Sequence, residues 1–215
     1  MRLGPIQCWR PPSVPALDLS PHVGDAMRAF DKDELAYLGL TGKIEIPIRD
    51  KLAFMLFRSL GPDAIVCREW ERCDIAVLDP AGRPDHIVEM TAAITADADR
   101  GNLWWGSKMS EELENRSKRF PGIPIHQVLV TTHIRRLQAQ GKALYALKYP
   151  DQVVGQLIAK RMNDGPIIES HRKAVAEHVA RLGGGLRLDE TFDVGQAYDA
   201  PMSVHAAYWV VEPAA

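Results

Sequence analysis

The chain has 215 residues, which suits one compact domain with additions. Its apolar fraction of 46% supplies a real core and excludes a wholly disordered segment. The formal net charge of −2 excludes an overall basic field that would draw nucleic acid from a distance, and leaves room only for a local basic groove.

Cys8, Cys67 and Cys73 form no CxxC pair and no even disulfide framework. Cys67 and Cys73 read as strand residues in a reducing compartment. Residues 1–24 hold five prolines and little periodicity, and are expected to lie as an arm over the surface. The first 19 residues lack the continuous apolar stretch of a signal peptide or anchor. No run approaches the roughly 20 apolar residues that span a bilayer. The expectation is a soluble, cytoplasmic chain with no membrane partner.

In chain order, residues 25–40 can form a short helix with Met27, Phe30, Leu35 and Leu38 on its inner side. Pro47 suits the first position of a second helix, in which Ile48, Leu52, Met55, Leu56 and Leu60 make one apolar stripe. Gly61-Pro62 ends it. The period then changes. Residues 64–70, 73–79 and 86–94 are rich in strand formers, and Asp79-Pro80-Ala81-Gly82 is a turn, so the three read as a meander. Trp104-Trp105 leads to a helix from about Ser107, its cap, to Phe120, with Met109, Leu113 and Phe120 facing inward. Residues 123–134 form a buried strand. The rest is largely helical to Leu182, with Pro166 opening the last helix and Gly183–Gly185 closing it. Residues 203–211 make a terminal strand. This order predicts an α/β sandwich over a bundle.

The chemistry concentrates in Asp74-Ile75-Ala76-Val77-Leu78-Asp79 and His86-Ile87-Val88-Glu89-Met90-Thr91. Alternation puts Glu89 and Thr91 on one face of their strand. Asp74 starts the preceding strand, one tight turn away. An acid within an apolar strand is costly unless it is paired or bound to a cation. Two such acids on neighbouring strands suit a hard, oxygen-seeking ion such as Mg²⁺, which neutralises phosphate charge and activates water in phosphodiester hydrolysis.

A helix, a strand, the Arg72-Cys73-Asp74-Ile75-Ala76-Val77-Leu78 strand, a turn and the Ile87-Val88-Glu89-Met90-Thr91 strand resemble the PD-(D/E)xK nuclease superfamily. The resemblance covers about residues 44–134. It implies a restriction-endonuclease-like sandwich: a central mixed β-sheet flanked by helices, here with additional C-terminal helices. It also implies cleavage of DNA with Mg²⁺ or Mn²⁺, and a homodimer would suit double-strand cutting. Asp74 matches the first metal-binding acid and Glu89 the second. Glu45 matches the acid often contributed from the first helix, although Pro47 is expected to leave it outside that helix. The organisation implied is an arm and short helix over 1–43, the core over 44–134 and a helical extension with a terminal strand over 135–215. Thr91 departs from the pattern by standing where the family has a lysine. Either Lys108 brings the amine from the next helix, or the site is silent and the module binds nucleic acid or a protein partner.

Structural roles compete with these. Asp74 can pair with Arg72 or Arg68, and Glu45 with Arg49. Trp104-Trp105 suits core packing or a dimer contact better than base stacking. Arg116, Lys118, Arg119, Arg135, Arg136 and Lys142 grip phosphates only if they gather on one side. His126, His171 and His178 read as structural, and no phosphate-loop or nucleophile-elbow motif occurs.

Overall fold

A computed structural model of the protein describes residues 17–41, 44–95, 104–134, 166–197 and 200–212. The first two helices are α1 (Ser20–Arg28) and α2 (Lys32–Thr41). They replace the single helix expected over residues 25–40, with the break at Ala29–Asp31. Asp31 lies just ahead of α2 and accepts the Asp33 amide, the local hydrogen bond by which Asp starts a new helix. Met27 and Leu35, one from each helix, are both buried.

Helix α3 (Glu45–Leu60) turns Ile48, Leu52 and Leu56 inward, as the stripe predicts. It starts two residues before Pro47, so Glu45 belongs to the helix after all. Proline is tolerated there because a first-turn N–H has no intrahelical partner. Gly61 ends the helix with φ 73°, a conformation that favours glycine.

Strands β1 (Ile65–Arg68), β2 (Ile75–Leu78) and β3 (Pro84–Ile94) form the expected antiparallel meander. A single 3-10 turn, Trp70–Arg72, separates the first two. Helix α4 (Trp104–Arg119) then crosses to β4 (Ile125–Ile134), which runs parallel to β3. Helix α5 (Pro166–Arg181) precedes β5 (Leu186–Ala197) and β6 (Ala200–Val211), an antiparallel pair. The architecture is α/β: one six-stranded mixed sheet in the order β1-β2-β3-β4-β6-β5, with helices packed on it.

β5 was not expected. Its Leu-Arg-Leu-Asp-Glu-Thr-Phe-Asp-Val stretch alternates, but its polar side is exposed because this is the outer strand. The terminal strand is internal to the sheet: β6 lies between β4 and β5, and residues 202–210 are all buried. The sheet therefore continues beyond residue 134.

The sheet divides two layers. Val88 and Met90 of β3, Val128 and Val130 of β4, and Val204, Ala206 and Tyr208 of β6 pack with α1, α2 and α3. The opposite face carries Ala93, Leu129, Ala207 and Trp209 under Trp105 and Met109 of α4 and Val175 and Val179 of α5. Ile87, Ala76, Leu78, Phe120 and Ile125 extend that face near the meander. No helix among the described residues is long and apolar enough to cross a membrane.

Candidate functional site

β2 pairs with β3 only as far as Ile75 opposite Val88. Beyond that point β3 continues to Ile94 with the edge once covered by β2 left open. Two carboxylates close it. Asp74, the residue before β2, accepts the Met90 N–H at 2.7 Å. Glu45, the first residue of α3, accepts the Ala92 N–H at 3.1 Å. Alternate amides point to the same strand edge, which is why residues 90 and 92 are the ones served.

Glu89 and Thr91 project from β3 onto the face under α4, and both are buried. Glu89 Oε1 accepts a hydrogen bond from Arg116 Nε of α4. Lys108, two turns earlier on the same helix, brings Nζ to within 3.3 Å of Thr91 Oγ1. Lys108 also pairs with Glu112 at 3.4 Å. Lys108, Glu112 and Arg116 recur every four residues, so α4 presents one charged stripe to the β3 edge. The structure thus draws Glu45, Asp74, Glu89, Thr91 and Lys108 around one strand edge.

Glu112 was not singled out by sequence. Its Oε2 is buried with no hydrogen-bond partner. Burial raises its carboxyl above the usual range, Lys108 opposes this, and the charges of Asp74 and Glu45 add to it. Arg116 was one of six basic residues that could grip phosphates only if they gathered on one side. Instead it binds Glu89 and also donates to the Arg72 carbonyl. Lys118 and Arg119 likewise pair with Glu114 and Glu71. Arg135, Arg136 and Lys142 lie outside the described residues. Spacing of four along a helix was the available signal for Glu112 and Arg116, but a charged stripe is ordinarily solvated.

Burial pushes the Glu89 carboxyl up to about 8, with Arg116 holding it back and Asp74 and Glu112 adding to the rise. The Cys73 thiol beside it is pushed up to about 12, chiefly by burial, and so stays neutral. That suits packing and not a thiolate nucleophile.

Asp74 is positioned by an unusual connection. Glu69, Glu71 and Arg72 have φ of 56°, 52° and 68°, left-handed values uncommon for residues with side chains. Each such residue costs on the order of 1 kcal/mol or more. Three arginines tie the segment down. Arg49 of α3 bonds Glu69, Arg119 bonds Glu71, and Arg116 bonds the Arg72 carbonyl. Arg49 also stands 3.7 Å from Asp74, in place of the Arg72 or Arg68 pairing considered from sequence, and Arg68 pairs with Asp50.

The donor set is entirely oxygen. Carboxylates brought together against their charge, with one buried acceptor unsatisfied, fit a hard divalent cation better than a soft metal. Asp74 and Glu89 are the residues that would hold it, with Glu112 within their electrostatic reach. Among the described residues no group of three or more His, Cys, Asp and Glu is gathered as a ready metal cage. Glu89 Oε1 is taken by Arg116, so a cation at that oxygen would compete with the ion pair.

Of the remaining residues named from sequence, the histidines His126, His171 and His178 are all buried. Trp105 is buried in the core, and Trp104 is exposed. His126 lies between His86 Nδ1, at 3.0 Å, and the Tyr208 hydroxyl, at 2.9 Å. Comparison of the chain with protein-family models, curated proteins and solved structures returned no match.

Proposed function

We propose that the protein is a metal-dependent endonuclease of the PD-(D/E)xK kind, hydrolysing DNA phosphodiester bonds at the open edge of β3. The observation that carries this reading is the meeting of Glu45, Asp74, Glu89, Thr91 and Lys108 from α3, β3, α4 and the start of β2. A mixed sheet with helices on both faces, and an acid on the first residue of α3, support the restriction-endonuclease-like core that the motif implies.

Asp74 and Glu89 would hold Mg²⁺ or Mn²⁺, which supplies charge neutralisation at the phosphate and lowers the cost of forming hydroxide from water. Glu45 fixes the β3 edge that the acids flank. Lys108 supplies the positive charge absent at position 91 and remains partly open to solvent, with 38% of its side chain exposed. Thr91 sets the direction of that ammonium through its hydroxyl. Arg116, displaced from Glu89, becomes a cation free to meet a phosphate oxygen.

A second reading has its own observation. Asp74 and Glu45 already satisfy backbone amides, and Glu89 already has Arg116. A site with those partners is complete without metal and suits a silent module that binds nucleic acid or a protein. Cleavage of plasmid and single-stranded DNA with Mg²⁺ or Mn²⁺ separates the two. Nicking by the native protein, lost in Asp74→Ala and Glu89→Ala, supports the nuclease. Gel-shift binding with no cleavage under either metal supports the silent module.

A further inference from the structure

Among the described residues, α5 rests on the sheet and α4 through four buried ones: His171, Val175, His178 and Val179. Steps of three and four put them on one face of the helix. Half of this anchoring face is therefore ionisable. In α3, by contrast, the buried residues Ile48, Leu52, Ala53 and Leu56 are all apolar.

His171 is fully buried, and neither of its ring nitrogens has a hydrogen-bond partner. Its ring meets the Trp105 ring of α4 edge-on, with centroids 5.8 Å apart, and the His205 ring of β6 at 5.5 Å. His178 lies against Trp105 at 5.2 Å and Trp209 at 6.1 Å, and its Nε2 has no partner.

The titratable groups facing His171 come from three strands. β6 offers His205, whose Nε2 is held by Asp189 of β5 at 2.6 Å and whose Nδ1 is unpartnered. β4 offers His133, which bonds Thr95, just beyond β3, at 3.0 Å. Asp189 is the carboxylate that acts on His171, and Arg172 of α5 already grips it at 2.7–3.2 Å. From α4 comes the Trp105 ring, and Arg181 is the cation acting on His178. A proton added to His171 thus finds two more imidazoles and an acid that is already engaged. The docked helix accommodates the neutral ring and disfavours the charged one.

We propose that α5 is a pH-sensitive latch: it stays docked while His171 is neutral, and protonation of that ring in mild acid frees the helix before the rest of the fold opens. Burial, with His205 and His133 adding to it, lowers the docked His171 to about 3, whereas a ring in water titrates near 6.5. The undocked helix takes up the proton first, so docking weakens as pH falls from about 6.5 toward 3. Burial lowers His205 and His178 in the same direction. Once α5 has left, a charged His205 beside Asp189 favours the open state further. The Arg172–Asp189 pair is partly exposed, so its loss opposes opening only weakly. Trp105 packs against both α5 histidines while Lys108, one turn on, faces Thr91, so release of α5 also loosens the helix that carries the ammonium. The latch does not depend on cleavage at the acid site.

The test is hydrogen exchange of the full chain at pH 7 and pH 5, read by mass spectrometry on peptides from α5 and β4 with intrinsic exchange rates divided out. Native protein, His171→Leu and His171→Met are compared after circular dichroism at pH 7 shows each folded. Protection of α5 in the native protein is expected to fall roughly 20-fold between pH 7 and pH 5 while β4 keeps its own. Both variants are expected to keep most of the α5 protection at pH 5. The native comparison of α5 with β4 stands by itself if a variant fails to fold. Equal losses in α5 and β4, no loss in α5, or a loss in the folded variants as large as in native protein overturns the proposal.

Discussion

Lys108 Nζ donates to Thr91 Oγ1 across 3.3 Å, so the ammonium of α4 stands where the β3 side chain lacks one. If this amine stabilises developing charge, Lys108→Met lowers the cleavage rate by roughly 10²- to 10³-fold, the usual cost of one electrostatic group in a site. Stability falls by about 1–3 kcal/mol as well, since the change leaves the buried Thr91 hydroxyl and the partly buried Glu112 carboxyl without this partner. Single-turnover cleavage and urea denaturation, read together, check both halves.

Charge and hydrogen bonding can be separated at Asp74. Asp74→Asn keeps an oxygen for the Met90 amide and is expected to stay within about 1 kcal/mol of native stability. Asp74→Ala orphans that amide and costs about 1–3 kcal/mol. Both variants lose cleavage if the charge is needed. An Asp74→Asn protein with native activity would show that Asp74 serves only the strand edge.

Arg116→Ala removes the cation that opposes the rise of the Glu89 carboxyl and leaves a buried, protonated acid without its partner, which costs about 1–3 kcal/mol. A divalent cation shared by Asp74 and Glu89 offsets part of that loss. Mg²⁺ therefore raises the urea midpoint of Arg116→Ala more than that of the native protein. Equal shifts would mean the ion binds elsewhere.

Acid sensitivity follows from the buried rings. Burial lowers His86 to about 4, and His126 and His171 to about 3, from 6.5. The unfolded chain therefore takes up protons first, and stability is lost progressively as pH falls from about 6.5 toward 3. At pH 5 this amounts to on the order of 1–2 kcal/mol per ring. Glu89 acts oppositely: its folded value, near 8, lies above 4.5, so its contribution is present at low pH and lost as pH rises through 8. Three rings outweigh one carboxyl between pH 7 and 5, and the urea midpoint should fall over that range.

Much of the fold was legible because its signals are local. The α3 stripe, the meander and the buried β4 strand follow from periodicity and turn residues. β5 was not legible, because an outer strand with an exposed polar side looks like loop until its partner is known. At the site, Asp74, Glu89 and Lys108 were visible as residue types in order. Glu112 was not, nor was the pairing of Arg116 with Glu89, since only the crossing of α4 over β3 turns an ordinary charged helix face toward the acids. The break in β2–β3 pairing, which opens the edge that Asp74 and Glu45 close, is likewise a property of register and not of composition.

The central claim is that Asp74 and Glu89 share one divalent cation. Calorimetric titration of the native protein with Mn²⁺, beside Asp74→Ala and Glu89→Ala, tests it most directly. The account predicts one saturable site per chain, lost in both folded variants. Native protein that takes up no Mn²⁺, or variants that bind it as well as native, would contradict the claim and leave the acids as strand-edge and ion-pair partners alone.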